Sequence, residues 1–201
     1  FVMLGAGILW FGWFGFNAGS ALAANGVAAQ AFVNTFLAAA AGMVAWMLVE
    51  LAKTGKASTI GMASGVVAAL VAITPAAGFV GSMHSLVFGA LAGVICFYAI
   101  EAKFRLGFDD SLDVVGIHLV GGVVGGVLLG FMADSSAVPG GDFIDGVFFG
   151  GGVLLWNQIL SIVAVASFSF VATFVIAKVL DKVIGLRVSE STEMAGLDVS
   201  D

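Results

Sequence analysis

Apolar residues run along the chain in six long stretches, separated by short segments rich in glycine, proline or charged residues. Each stretch is long enough for a membrane span, which takes about 20 residues. Lipid offers no partners for unpaired backbone groups, so helices are expected rather than open strands. The last stretch is too long for a perpendicular span, so it is expected to tilt or to project from the membrane. The predicted spans are residues 1–23, 26–52, 57–75, 79–102, 112–133 and 147–184.

Composition supports a membrane protein. Hydrophobic residues make up 61% and charged residues 10% of the chain, and the mean hydropathy is +1.15. Soluble domains carry about 25% charged residues, so this chain cannot cover itself with polar surface, and its solvent must be largely lipid. The 29 glycines suggest closely packed membrane helices. The net charge of −6 does not suggest a nucleic-acid partner.

The basic residues predict an orientation. All of them follow the second, fourth or sixth stretch, so they fall on one side of an alternating path, which the positive-inside rule makes cytoplasmic. We therefore expect a multi-pass protein of the cell inner (plasma) membrane, with a transmembrane domain over 1–188 and a cytoplasmic tail over 189–201. Because the chain opens on Phe1 without an initiator methionine, we expect it to be part of something longer. The basic residues are Lys53, Lys56, Lys103, Arg105, Lys178, Lys182 and Arg187.

One face of the first span is unusual. At helical spacing Leu9, Trp13, Phe16 and Ser20 form an apolar and aromatic stripe that ends in a hydroxyl. On its own the stripe is more typical of packing against a neighbouring helix. It could also line a narrow dry passage with one hydrogen-bonding group at its mouth. The adjacent Asn17 is expected to bond one helix to another.

The fifth span carries the deepest ionisable group, His118. At helical spacing it shares a face with Val114, Gly122 and Gly126, and an ionisable residue at this depth is a candidate functional group. The alternative, a histidine satisfied by a backbone carbonyl or a serine, stays equally open. Asp113 is expected to be structural, because a carboxylate in the first turn can accept from free backbone donors.

Other chemistry is poorly supported. His84 is expected near the outer end of the fourth span as an interfacial residue without an assigned role. Two histidines on separate spans are weak metal ligands, and no Ser/His/Asp set or pair of catalytic carboxylates is evident. We therefore expect neither an enzyme nor a bound cofactor or metal.

Five segments in order resemble one family. They are GWFGFNAGS (12–20), AFVNT (31–35), TPAAGFV (74–80), DDSLDVVGIHLVGG (109–122) and GLRV with GLDV (185–188, 196–199). Together they resemble the ammonium transporter family, Amt/Mep/Rh, and specifically the C-terminal half of its bacterial Amt branch. The resemblance implies an all-α membrane protein whose six transmembrane helices correspond to the second inverted repeat plus the final helix of an eleven-helix fold.

The resemblance also implies roles for individual residues. His118 would be the second of two pore histidines, and Phe16 one of two stacked gating phenylalanines. Ser20 would receive ammonium together with Phe16, and Asp113 would be structural. The first pore histidine and the partner phenylalanine would come from the half that this chain lacks. The remaining pore-lining residues implied are Trp13, Leu9 and Val114.

The function implied is passage of ammonium or ammonia through a narrow hydrophobic pore with paired histidines, of which this chain supplies one half. The rivals are an ammonium sensor on the same scaffold, an Rh-like channel for neutral gas, and a non-conducting truncated fragment. The resemblance further implies a homotrimer in the lipid bilayer and, in some members, a PII-type regulatory protein at the cytoplasmic face.

Overall fold

The computed structural model describes residues 1–198, and every regular element among them is helical. Two units are distinguished, Phe1–Ile159 and the segment from Leu160 onward. A π-helical turn (Val115–Leu119) precedes α5, and short 3-10 turns cover Ser135–Ala137 and Val147–Phe149. The α-helices are α1 (Val2–Gly19), α2 (Gly26–Thr54), α3 (Thr59–Ile73), α4 (Ser82–Leu106), α5 (Val120–Met132), α6 (Val153–Val183) and α7 (Glu190–Ala195).

The all-helical prediction is confirmed, with one correction to the spans. Among the residues that the structure describes, five helical segments are long and apolar enough to cross a membrane, whereas α3 has 15 residues rather than the 19 of the predicted stretch 57–75. Its start is set by Ser58, whose hydroxyl accepts from the backbone N–H of Gly61 at 2.9 Å. Pro75 lacks a backbone donor, so the helix ends at Ile73. The third span is therefore shorter than its hydropathy suggests.

The centre of the first unit is the packing of α2 against α3 and α4. Glycine lets these backbones approach closely. A Cβ built on Gly65 would lie 2.6 Å from the Cβ of Trp46 and 2.7 Å from the carbonyl oxygen of Gly42, and one on Gly93 would lie 2.6 Å from that same oxygen. These are the close contacts that small residues permit between membrane helices.

The helix α1 packs on α2 and α3 by one side. Two interhelical hydrogen bonds hold it there. Asn17 Nδ2 donates to Thr35 Oγ1 at 2.9 Å, and Trp13 Nε1 donates to Thr74 Oγ1 at 2.8 Å. The other side of α1 is exposed and apolar.

The basic ends of α2 and α4 lie side by side. Lys53, in the last turn of α2, forms an ion pair with Glu101 of α4. Lys103, two residues further along α4, forms an ion pair with Asp113. The two helices therefore end at the same end of the bundle, as the alternating path predicts.

The loop after α5 is tied to the segment between α3 and α4. The backbone N–H of Asp134 donates to the carbonyl of Phe79 at 2.9 Å. The carboxylate of Asp134 accepts from the backbone N–H groups of Ser136 and Ala137. This buried aspartate therefore orders the loop after α5.

The second unit contains the later part of α6 and α7. No residue of α6 is buried within the described part of the chain, although Leu155, near the start of the helix, lies against Gly130 of α5. Ser189 caps α7, and Arg187 pairs with Glu193 through two donors, the shorter contact being 3.0 Å. Of the predicted tail 189–201, the last three residues lie outside the described part of the chain.

Candidate functional site

An open apolar groove of about 470 Å³ runs along the exposed side of α1. Three residues of the predicted stripe, Leu9, Trp13 and Phe16, line it together with Ile8 and Gly12. A Cβ on Gly12 would meet no atom within 4 Å, so the glycine keeps one wall of the groove open. The structure therefore brings these three side chains to one surface, as their helical spacing predicts.

The aromatic rings of the groove have fixed geometry. The ring of Trp13 meets that of Phe16 edge to face, with centroids 6.3 Å apart and an interplanar angle of 76°. The bond from the Trp13 indole to Thr74 anchors the polar edge of the indole on the side of α3. Phe16 itself is 63% exposed, so its ring is open to whatever occupies the groove.

Ser20 lies at the end of α1, one turn beyond Phe16. Its hydroxyl donates to the carbonyl oxygen of Phe16 at 2.7 Å. A serine hydroxyl has one hydrogen and two lone pairs. Because the hydrogen is committed to Phe16, the exposed oxygen presents lone pairs, which suit a ligand that donates hydrogen bonds.

His118 lies in the π turn with its side chain exposed. Within residues 1–198 no hydrogen bond to its ring is found, so the alternative of a histidine satisfied by a carbonyl or a serine gains no support there. Val114, one turn earlier, is 50% exposed. A Cβ on Gly122 would meet nothing within 4 Å. These three positions form an open surface around the imidazole.

The helical spacing predicted around His118 needs a correction. The fifth span is predicted to start at residue 112, but helical structure starts at Val115 and its first turn is π-helical. The backbone N–H of Val120 donates to the carbonyl of Val115, five residues back, and also to that of Ile117. A π turn contains one more residue than an α turn, and such turns are frequent at functional sites.

The prediction that Asp113 accepts helix donors is wrong. Asp113 stands before the helix with a φ of 57°, a conformation that aspartate tolerates better than most residues. Its carboxylate pairs with Lys103 instead. The capping carboxylate belongs to Asp110, which accepts from the backbone N–H groups of Val114 and Val115, each at 2.9 Å.

The structure does not bring the groove and His118 into contact within this chain. The helix α1 packs on α2 and α3, whereas the π turn packs on α3 and α4, and neither His118 nor Val114 lines the groove. The helix α3 is therefore the shared neighbour of both elements, and the predicted pore residues form two surfaces. Leu9, Trp13 and Phe16 belong to the first surface, and Val114 and His118 to the second.

His84 is more enclosed than its predicted interfacial position suggests. Its ring packs edge to face on Phe149, with centroids 5.4 Å apart. Its Nδ1 is buried and has no hydrogen-bond partner within the described part of the chain. It lies on neither of the two surfaces.

Sequence reasoning missed three residues that support these surfaces. Thr74 holds Trp13, Asp110 caps the π turn, and Cys96 lies with its Sγ 3.9 Å from the carbonyl oxygen of Ile117. An aspartate shortly before an apolar run is a helix-start signal that could have identified Asp110. Nothing in the local pattern indicates the partners of Thr74 or Cys96, because both contacts cross between helices.

Comparison with known proteins agrees with these observations. The chain is 50% identical to an ammonium transporter of Mycobacterium tuberculosis over 98% of its own length and 42% of the relative's. Mep2 of Saccharomyces cerevisiae superimposes with a TM-score of 0.87 at 35% identity, over 94% of this chain and 43% of the other. A solved structure described as a sensor Amt protein superimposes with a TM-score of 0.85 at 29% identity, over 98% of this chain and 47% of the other.

The chain spans about half the length of the curated relatives that it matches. The model of the Ammonium Transporter Family matches residues 1–201, the whole of the sequence. With the all-helical fold and the apolar helices described above, this match shows that the chain belongs to the Ammonium Transporter Family.

Proposed function

We propose that the chain forms one half of a pore that passes ammonium or ammonia across a membrane. The observation that carries the proposal is the groove on α1, where the apolar and aromatic wall of Leu9, Trp13 and Phe16 ends beside the acceptor oxygen of Ser20. This combination suits a small cation that can donate hydrogen bonds and can later become a neutral molecule.

Capture of ammonium follows from the chemistry of its surroundings. Ammonium donates hydrogen bonds in four directions, so the lone pairs of Ser20 can replace water on one side. An aromatic face attracts a cation through its quadrupole, and the exposed ring of Phe16 is one turn away. We assign Ser20 and Phe16 to ammonium binding at the outer end of α1.

Passage through the membrane requires loss of the charge. An ion crossing a dry apolar tube is costly, whereas neutral ammonia is not. Leu9 and Trp13 form apolar lining in the first surface, and Val114 does so in the second. His118, with an exposed imidazole beside Val114, would offer a donor and an acceptor to the passing molecule. Potassium cannot lose a proton, so the dry section would exclude it.

The assembly is proposed on the same basis. We propose that a second half supplies the opposite wall, including a second pore histidine, and that the complete protein is a homotrimer in the inner membrane with a cytoplasmic C-terminus. The adjacent basic ends of α2 and α4 support this orientation. A PII-type protein at the cytoplasmic face is a further proposed partner.

An ammonium sensor is the second candidate, and its specific support is the similarity to a sensor Amt protein at 29% identity. The match to an ammonium transporter at 50% identity favours transport. Uptake of ammonium by liposomes that carry the intact protein separates the two, because a sensor without conduction gives none.

The test of the proposed capture site is Ser20→Ala in a full-length transporter that carries this chain, reconstituted in liposomes. The apparent affinity for ammonium is expected to fall roughly ten- to a hundredfold, as for loss of one hydrogen bond to a charged group, which is worth about 1.5–3 kcal/mol. Ser64→Ala is the matched control, because its hydroxyl also donates to a carbonyl four residues back but lies on α3 outside the groove. Equal affinities in the two variants would contradict the assignment of Ser20.

A further inference from the structure

We propose that the π turn Val115–Leu119 aims His118, and that Gly116 and Asp110 are the positioning residues that hold this turn. The proposal rests on the proposed function, since it gives His118 a direction that matters for transport. The observation that supports it is that one side of this single turn is closely packed and the other side is exposed.

The packed side of the turn consists of Gly116 and Ile117. Gly116 is buried, and Ile117 is 7% exposed and belongs to an apolar cluster with Trp46 and Phe97. The next residue, His118, is exposed. Successive side chains along a helix point in directions that differ by a fixed rotation about its axis. The packing of Gly116 and Ile117 therefore determines the direction of the His118 imidazole.

Gly116 permits this close packing because it lacks a side chain. A Cβ at this position would lie 2.7 Å from Cγ1 of Ile100 and 3.3 Å from its backbone nitrogen. The first distance is shorter than real Cβ contacts allow, so any larger residue must push the turn away from α4. A displaced turn would carry His118 with it.

Asp110 fixes the start of the turn. Its two carboxylate oxygens accept from the consecutive backbone N–H groups of Val114 and Val115, each at 2.9 Å. These are donors that the first turn of a helix would otherwise leave unpaired. The backbone of the same residue is tethered to α4, because Lys103 Nζ donates to the Asp110 carbonyl at 2.5 Å. The residue that caps the turn and the glycine within it therefore both fix the position of the turn relative to α4.

The interior of the turn has a further contact with α4. The Ile117 carbonyl accepts from the Val120 N–H, and the thiol of Cys96 lies 3.9 Å from the same oxygen. A thiol is a weak donor, so this contact assists the other two and does not replace them. Together the three contacts make the π turn a fixed feature of the packing between α4 and α5.

The test is a double-mutant cycle on Gly116 and Ile100 in a full-length transporter that carries this chain. Gly116→Ala is expected to lower ammonium flux per folded transporter roughly tenfold, since small misplacements of a reacting group have large effects. Ile100→Ala removes Cγ1 and, alone, should leave the flux close to that of the parent. The double variant is expected to regain most of the lost flux, because the added methyl group then has space.

A second readout separates positioning from folding. In protein labelled with 15N-histidine, the His118 signal is assigned by its loss in His118→Ala. Gly116→Ala should shift that signal and the double variant should return it. The proposal is overturned if Gly116→Ala reduces only the amount of folded protein while the flux per folded transporter and the His118 signal stay unchanged.

Two further outcomes are decisive. If Gly116→Ala does not fold, Asp110→Asn takes its place, because it keeps the side-chain shape but loses one acceptor oxygen; an unchanged His118 signal and flux would then refute the positioning role. If His118→Ala leaves flux unaltered while Gly116→Ala still shifts the His118 signal, the proposed function fails and the positioning of the ring stands.

Discussion

The helices α1 and α5 are both rich in glycine, yet they use it in opposite ways. In α5 a Cβ on Gly125 would overlap the backbone of Ala72 in α3, and one on Gly130 would lie 2.7 Å from Cα of Leu155. In α1 a Cβ on Gly5, Gly12 or Gly15 would meet no atom within 4 Å. Within this chain, glycine is a packing requirement at Gly125 and Gly130 of α5, whereas Gly122 of α5 and these glycines of α1 lie on open surface.

The difference shows how each candidate surface is held. The π turn and α5 are held by close backbone contact, so the surface around His118 is determined by the packing of α3 and α4. The contacts that hold α1 and its groove include two side-chain hydrogen bonds, from Trp13 and Asn17. Substitutions should therefore affect folding strongly in α5, moderately at the two bonds of α1, and weakly on the open side of α1.

The largest effect is expected for Gly125→Val. The new side chain would overlap the Ala72 backbone, and overpacking of this kind costs about 1–3 kcal/mol. The midpoint of thermal unfolding in detergent should fall accordingly. A Gly125→Val protein with the midpoint of the parent would show that α3 and α5 are not in close contact.

An intermediate effect is expected for Asn17→Leu. The substitution removes the hydrogen bond to Thr35, and interhelical bonds of this type in membrane proteins are worth about 0.6 kcal/mol on average. Thr35→Val completes a double-mutant cycle, in which the measured coupling should be of that size. Strictly additive losses of stability would mean that the two side chains do not interact.

The smallest effect, and one of opposite sign, is expected for Gly15→Ala. Alanine in the middle of a helix is favoured over glycine by roughly 0.5–1 kcal/mol, and the site is open in this chain. The isolated chain should be slightly more stable by the same unfolding measurement. Destabilisation by the same substitution in a full-length transporter would locate a contact between this side of α1 and the other half.

Much of the fold could be predicted from hydropathy, because lipid imposes long apolar helices whose ends carry charges, turn residues or proline. The end of α3 shortly before Pro75 is an example of a local signal, because proline lacks a backbone donor. The π turn could not be predicted in this way. Nothing in the local pattern of residues 115–119 marks an extra residue, and the contacts of the turn with Ile100 and Cys96 are made to another helix.

The candidate site shows the same division. The stripe of Leu9, Trp13 and Phe16 follows from helical spacing within one element, and these residues do line one groove. The prediction that Asp113 accepts from helix N–H groups is wrong because a φ of 57° places the residue outside the helix. Its carboxylate pairs there with Lys103 of α4. Local spacing therefore predicts shared faces within a helix, but not the partners of polar groups between helices.

The most direct test of a pore role for His118 is the flux through a full-length transporter that contains this chain, measured in liposomes with ammonium and then with potassium, for the parent and for His118→Ala. The account predicts that the variant loses ammonium flux or no longer distinguishes ammonium from potassium. Unchanged ammonium flux together with unchanged exclusion of potassium would contradict a role for His118 in the pore.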